Sequence, residues 1–422
     1  MKNPFKNREG EKKNLIKNFS SLTLLQISNY LIPMVTLPYI VRVLGPEKFG
    51  LVNFATAFSA YFALITDYGF TLSATKDISV NRNDKAKLNE IYSSVLGVKI
   101  YLFLLSAIFF LVILLTFEIF YKDLLLYILA FATVIGSTFF PVWFFQGIEK
   151  MKYILFINIS VRALFTGLIF VLIRSENDYM MLTAINSSTQ IVIAVVGLFI
   201  VHRTFSVKFS FPSYSEMKYQ LKSGWSIFLS QVSINLYTTS NAFILGLFTN
   251  NTVVGYYTAA DKIRSALQAM MNPLLQTVFP YVNHLLSVSQ EAFINFNKKI
   301  LRIALVGGIS ISLTLFFFAG QLVDIILGEG YNQSVLVLKI IAWLPFLITF
   351  SNVTGVQTML PLKREKAFAV ILLVAGILNV MVSFILVPVY FEVGTSVSVV
   401  ITETFVTASF LFYLIKRKIK II

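Results

Sequence analysis

Residues 91–117 read IYSSVLGVKIYLFLLSAIFFLVILLTF, twenty-seven residues that carry a single charge, Lys99. As a helix rising ~1.5 Å per residue the stretch covers about 40 Å, enough to cross a hydrocarbon core of about 30 Å. Its apolar residues run on without alternation, well past the ~10 residues of a barrel strand. The stretch therefore reads as a transmembrane helix. Working outward, comparable stretches bounded by charges, Pro or Gly fall at about 15–41, 51–75, 124–145, 153–173 and 179–201, and again at about 223–248, 253–283, 299–319, 334–359, 367–389 and 394–415. That makes twelve, of which 51–75 and 253–283 are marked down in hydropathy by charges and polar stripes.

The composition agrees. The chain has 422 residues, 57% hydrophobic and only 13% charged, with mean hydropathy +0.77. A soluble domain carries about 25% charged residues, so a soluble globular enzyme and a disordered protein are excluded. Cysteine is absent, which removes disulfides, thiolate zinc sites and cysteine nucleophiles. The two histidines, His202 and His284, sit where apolar stretches meet polar loops, so no imidazole switch lies at mid-membrane.

The formal charge of +15 is explained by its distribution. One set of loops, from Lys2–Lys17 through 76–87, 150–152, 203–222, 298–302 and 363–366 to the basic tail after 415, holds 26 of the 35 Lys and Arg residues. The opposite set holds 4 (Arg42, Lys48, Lys122 and Arg174), and 5 lie inside spans. The positive-inside rule places both termini in the cytoplasm, which requires an even number of spans. The first stretch is too long for a signal-peptide core and has no small-residue cleavage site, so it reads as a retained helix.

A gapless shift of 205 residues superposes the first two spans on the seventh and eighth. Lys17, Ser21, Leu24, Gln26, Ser28, Leu31, Gly50 and Ala55 meet Lys222, Ser226, Leu229, Gln231, Ser233, Leu236, Gly255 and Ala260, which is 8 identities in 39 positions. Six spans separate the copies, so both enter the membrane in the same direction, a plan used by secondary transporters. The predicted fold is an all-α polytopic membrane protein. Its twelve transmembrane helices form two parallel six-helix halves around a central cavity: 1–202, a cytoplasmic linker over 203–222, and 223–422.

Several spans carry polar stripes at helical spacing. The first holds Thr23, Gln26, Asn29, Tyr30 and Pro33; the fifth Asn158, Arg162 and Thr166; the seventh Gln231, Asn235 and Thr238. The eighth holds Thr258, Asp261, Arg264, Ser265, Gln268, Asn272 and Gln276 along five turns, with Lys262 at its flank. Such stripes cannot face lipid, where each unpaired polar group costs several kcal/mol. They either bind helices together or line a water-filled cavity. For charged groups inside a span the functional reading gains weight.

Arg162 lies near mid-depth, Lys262 and Arg264 lie about ten residues into their helix beside Asp261, and Lys99 lies close enough to the cytoplasmic end to snorkel. These four are the candidates for a negatively charged guest, with Gln26, Asn29, Gln231, Asn235, Asp261, Gln268 and Asn272 as polar lining. Asp67, Arg42 and Lys339 are candidates for gating contacts or ion pairs, Arg42 and Lys339 being near outer ends. Five basic residues within spans against Asp67 and Asp261 give a basic interior suited to phosphate or diphosphate. No HExxH, GxSxG, P-loop or carboxylate cluster is present, and the loops are too short for a catalytic or nucleotide-binding domain. A transporter without covalent chemistry, cofactor or metal is expected.

Three local motifs carry a family resemblance: Leu44-Gly45-Pro46-Glu47-Lys48-Phe49-Gly50, then Asp67-Tyr68-Gly69-Phe70 through Ser73-Ala74-Thr75-Lys76, and Gly255-Tyr256-Tyr257-Thr258-Ala259-Ala260-Asp261-Lys262. In these, and in their order along nearly the whole chain, the sequence resembles the polysaccharide biosynthesis or O-antigen flippase (Wzx) family of the multidrug/oligosaccharidyl-lipid/polysaccharide exporter superfamily. The resemblance implies a flippase for polyprenyl-diphosphate-linked oligosaccharide, an O-antigen or capsule repeat unit, in a bacterial cytoplasmic membrane. It implies alternation between inward- and outward-open states, with a polysaccharide polymerase and glycosyltransferases as partners and no nucleic acid. Among matched motif positions Lys262 is the candidate for head-group contact. The rival readings are a drug/cation antiporter of the same superfamily, which needs acidic residues at mid-depth, and a membrane-embedded glycosyl- or acyltransferase.

Overall fold

The computed structural model describes residues 4–419, with the side chains of 4–23 and of Ile27, Tyr30, Leu31, Pro273, Leu274, Gln276, Thr277, Pro280 and His284 outside the described set. The stripe positions Thr23, Tyr30 and Gln276 and the expected border position of the His284 ring therefore lie outside it. Among the described residues every regular element is helical. In chain order these are α1 Pro4–Asp67, α2 Phe70–Asn81, α3 Lys85–Thr116, α4 Leu124–Phe139, α5 Val142–Gly147, α6 Met151–Leu172, α7 Tyr179–Thr204 and α8 Tyr214–Thr238. They continue with α9 Ser240–Phe248, α10 Asn251–Gln268, α11 Asn272–Val288, α12 Gln290–Phe317, α13 Ala319–Ile326, α14 Gln333–Ile341, α15 Leu344–Ser351, a π-helix Asn352–Met359 and α16 Glu365–Lys416.

Eight helical stretches among the described residues are long and apolar enough to cross a membrane. The protein is a multi-pass membrane protein. Two of the eight, Ile32–Asn81 and Glu365–Lys416, run to 50 and 52 residues, about 75 Å each if straight and far beyond one crossing. Each is broken by a left-handed residue: Gly45 (φ 66°) and the Tyr68–Gly69 pair in the first, Phe391 (φ 51°) three residues after Pro388 in the last. Pro388 lacks the amide that would close the helical turn below it, so the chain turns there. The regions expected at 223–248 and 253–283 form α8–α9 and α10–α11, which are not among the eight because their amides and charges lower their apolarity.

The lipid-facing character is plain on α3. Leu104, Ile108, Phe109, Val112 and Leu115 are uncovered by protein, while Val95, Val98 and Leu114 are fully buried. An apolar face of this size is stable only against hydrocarbon.

Packing divides the chain into two compact units, 1–36 with 55–231, and 37–54 with 232–422. Chain order and packing part company around the Gly45 bend of α1, because 37–54 packs with the later residues. In the first unit α2, α3, α5 and α7 close over Phe70, Ile78, Tyr92, Trp143, Phe144 and Phe145. A second cluster joins α1, α3 and α4 through the rings of Phe58, Phe62, Phe110, Tyr127 and Phe131.

In the second unit α1 and α10 cross where Gly50 and Gly255 meet. A Cβ on Gly50 would lie 1.8 Å from the Asn251 carbonyl oxygen, and one on Gly255 would lie 2.0 Å from that of Pro46. Only glycine allows two helix backbones to approach so closely. The 205-residue shift maps Pro46 onto Asn251 and Gly50 onto Gly255, so the contact is reciprocal, as at a two-fold axis.

Candidate functional site

In the first unit α6 carries Asn158 and Arg162 one turn apart, but they do different things. Asn158 is buried and donates its amide to the Ile154 carbonyl on its own helix at 2.8 Å. Arg162 is half-buried, and one Nη donates to Asn29 Oδ1 on α1. Among the described residues no carboxylate reaches ion-pair distance of Arg162, whose guanidinium is held by a neutral amide. Gln26, one turn before Asn29, is also half-buried.

Lys99 does not snorkel. Its side chain is 1% exposed, its ammonium lies 3.7 Å from the Asp67 carboxylate, and it donates to the Thr138 carbonyl at 3.1 Å. Asp67 also accepts from Thr71 Oγ1 at 2.9 Å, and Thr138 Oγ1 donates to Thr66 Oγ1 at 2.8 Å. The network ties α1, α2, α3 and α4 together. In this conformation the Lys99 ammonium is buried, and the partly exposed Asp67 is its partner.

In the second unit the charges of α10 gather around Arg264. Asp261 Oδ1 accepts from Nε and lies 2.7 Å from Nη2. Ser265 Oγ accepts from Nη2 at 2.7 Å, and Gln268 Oε1 accepts from Nη1. These partners sit three, one and four residues away, on or beside one helix face. Lys262, two residues before Arg264, projects about 160° away from it. Its side chain is exposed in part, and its ammonium lies 5.0 Å from the centre of the buried Phe49 ring. The structure therefore joins Arg264 to Asp261 and Gln268 by hydrogen bonds, and leaves Lys262 on another face within electrostatic reach of Asp261.

The eighth-span stripe is not one continuous face. A 3-10 turn, Ala269–Met271, separates α10 from α11, and three residues wound at the tighter pitch rotate the next helix by about 60°. Asn272 thus begins a new helix rather than continuing the Arg264 face. On α8, Gln231 and Asn235 are half-buried, and Asn235 Oδ1 accepts from Thr239 Oγ1 at 2.9 Å. Arg42 donates to the Ile325 carbonyl and lies against Gly328. Lys339 is exposed in the last turn of α14, where a cation complements the carbonyl end of the helix dipole.

One ionisable residue escaped the sequence reading. Glu403 on α16 is 7% exposed and lies within electrostatic reach of Arg264 and of Tyr237. The signal was present, since it falls about ten residues into the last apolar stretch, the same criterion that singled out Arg162. With Glu403 included, the second unit is closer to neutral than the expected basic interior. In the first unit, Arg162 has no carboxylate within ion-pair distance among the described residues. Among the described residues no three His, Asp or Glu side chains gather closely enough to hold a metal ion.

The family profile described as polysaccharide biosynthesis protein matches residues 15–286. The chain belongs to that family. Within the polysaccharide biosynthesis protein family, it is 34% identical over 410 residues to a protein of Escherichia coli (strain K12) named "Putative O-antigen transporter", covering 97% of this chain and 98% of that one. A protein of the same name from Shigella dysenteriae is 29% identical over 396 residues, covering 92% and 97%. Among solved structures, the family member superposes on an inward-facing multidrug resistance MATE family transporter of the MOP superfamily with TM-score 0.67 at 16% identity, over 92% of this chain and 95% of that one. It superposes on the lipid II flippase MurJ in an inward closed conformation with TM-score 0.57 at 14% identity, over 92% and 87%. At these identities the likeness is one of fold.

Proposed function

We propose that this chain is a flippase that moves a polyprenyl-diphosphate-linked oligosaccharide, an O-antigen or capsule repeat unit, across a bacterial cytoplasmic membrane by alternating access. It would do so with twelve spans in two parallel six-helix halves, both termini in the cytoplasm, and no covalent chemistry or cofactor. The names of its two relatives support the substrate class, and the fold it shares with MATE and MurJ proteins supports transport.

The observation that carries the reading furthest is Arg162. An ion in a low-dielectric interior costs several kcal/mol unless a counter-charge compensates it. Arg162 has one amide partner and no carboxylate among the described residues. A guest diphosphate supplies the missing charge and matches the planar guanidinium with paired oxygens. Arg264, by contrast, is already neutralised by Asp261, and its part is to position Gln268 and the polar face of α10 beside the sugar. Lys262, on another face of α10, would contact the head group from there. A polysaccharide polymerase and glycosyltransferases would act after and before the transfer.

The test is transfer of lipid-linked oligosaccharide in vesicles, with cell-surface polysaccharide as a second readout. Arg162→Ala is expected to lower transfer at least tenfold at normal protein abundance, and Arg162→Lys to restore part of it. Wild-type output from Arg162→Ala would remove the residue from the site.

Glu403 supports a second reading. A buried carboxylate at mid-depth is what a cation antiporter needs, and it sits in the unit that also holds Asp261. Dye efflux from energised cells separates the two: efflux that Glu403→Gln abolishes would favour cation exchange, and its absence would favour lipid-linked glycan.

A further inference from the structure

The segment between α7 and α8 is held against α3. The Val207 amide turns back onto the Val201 carbonyl at 3.4 Å. The Lys208 amide then donates to Asn89 Oδ1 at 3.1 Å, and the Ser210 amide donates to Ser93 Oγ at 3.0 Å. The Pro212 ring packs on Gly97, where an added Cβ would lie 2.6 Å from its Cγ. Asn89, Ser93 and Gly97 follow one another at one-turn spacing on α3. The chain therefore runs along one α3 face for a rise of about 12 Å, toward the lipid-facing part of that helix.

That path sets its depth. The outward apolar surface of α3 extends from Tyr101 to Phe117, and Glu118 follows at once. A hydrocarbon core of about 20 helical residues, counted back from Phe117, reaches Gly97. Pro212 thus lies at the hydrocarbon boundary. Lys208 lies about 12 Å outside it, where a long side chain still reaches the headgroup layer.

The side chains sort accordingly. Alternate residues of an extended chain face opposite ways. Ser210 and Pro212 face α3, while Phe209 and Phe211 face out, their rings edge to face at 5.8 Å. Phe211 is 96% uncovered by protein, although the residues on either side of it are pinned. An aromatic pair held outward at this depth meets acyl chains.

Residues 203–222 carry Arg203, Lys208, Lys218 and Lys222 against Glu216 alone, and Glu216 already accepts from the Ser213 amide at 2.9 Å. Among the described residues none of these four cations is in an ion pair. Lys218 and Lys222 share an exposed face of α8 with Trp225, and cations beside an indole suit a membrane–water interface.

We propose that this segment is a membrane anchor selective for anionic phospholipid. Phe209 and Phe211 enter the acyl layer, and Lys208, Lys218 and Lys222 hold the lipid phosphates outside them. The anchor needs only that α3 crosses the bilayer, and it stands whether or not the chain moves lipid-linked glycan.

The experiment takes the cysteine-free chain as its own background. Phe211→Cys, labelled with a small fluorophore in nanodiscs, is read against Asn83→Cys in the exposed α2–α3 turn and Ile108→Cys on the lipid face of α3. Lipids brominated on their acyl chains are expected to quench at positions 211 and 108 and not at 83, and aqueous iodide to do the reverse. At equal mole fraction, brominated phosphatidylglycerol is expected to quench position 211 at least twofold more than brominated phosphatidylcholine. Changing Lys208, Lys218 and Lys222 together to Gln is expected to erase that difference while both lipids still quench, which also shows that the segment keeps its place. Iodide access at 211 overturns the anchor. So does protection from both quenchers, which would mean that protein covers the ring. Equal quenching by the two lipids with the lysines intact overturns the selectivity, and a difference that survives their loss removes the lysines from it.

Discussion

Gly50→Ala is the sharpest probe of the alternating access proposed above. The added Cβ would sit 1.8 Å from the Asn251 carbonyl oxygen and within 2.5 Å of the Gly255 amide nitrogen. Ordinary contact needs about 3.4 Å, so the two backbones must part by about 1.5 Å in a packed interior. Overpacking of this kind costs about 1–3 kcal/mol. Under the alternating access proposed above, that cost falls only on a state that keeps this crossing closed. It then shifts the population toward the open state by about 5–150-fold. The chain contains no cysteine, so one introduced thiol reports without background. Val254, fully buried beside Gly255, is the reporter: Val254→Cys is expected to react with an impermeant maleimide at least fivefold faster when Gly50→Ala is present. Gly167→Ala, which adds a methyl where nothing lies within 4 Å, is expected to change nothing. Gly255→Ala should match Gly50→Ala, and the double variant should add less than the sum, because helices already parted accept the second methyl. Unchanged labelling at normal abundance would show that the crossing relaxes locally and has no part in opening.

The Lys99–Asp67 pair predicts an asymmetry in stability. Asp67→Asn leaves a fully buried ammonium uncompensated and is expected to cost about 3–5 kcal/mol, whereas Lys99→Met leaves Asp67, 35% exposed, able to rehydrate at lower cost. Thermal unfolding in detergent checks this, and the reverse order would refute the burial argument. Lys262→Ala is expected to lower transfer several-fold at normal abundance, and full polysaccharide output would remove it from head-group contact. Glu403→Gln keeps volume and hydrogen-bonding capacity and is expected to leave abundance near wild type. A collapse in abundance would show that its charge is needed to hold Arg264.

Much of this architecture was legible because hydrocarbon is an unforgiving solvent. A spanning segment must be helical and about twenty residues long, so stretches such as 91–117 could be read from composition alone. The bend at Gly45-Pro46 was visible in residue type, but that at Phe391 was not, since a left-handed phenylalanine has no signature beyond the proline three residues earlier. Depth along a helix is readable from residue number, which is what singles out Arg162 in the sequence. Rotation about the helix axis is not. Whether Lys99 meets headgroups or Asp67, thirty-two residues back, depends on how α1 and α3 turn toward each other. The stripe that starts at Thr258 is interrupted for a related reason, as a single tight turn at 269–271 rotates Asn272 away from the Arg264 face. Glu403 met every criterion that chose Arg162 and was passed over among apolar neighbours.

The reciprocal approach of Gly50 and Gly255 also bears on ancestry. A contact that exchanges its two sides under the 205-residue shift is what identical subunits make across their own symmetry axis. Duplication and fusion of a gene encoding such a homodimer would leave the glycines behind as a scar while the charges around them were free to diverge, since the shift sets Ser59 against Arg264 and Thr56 against Asp261.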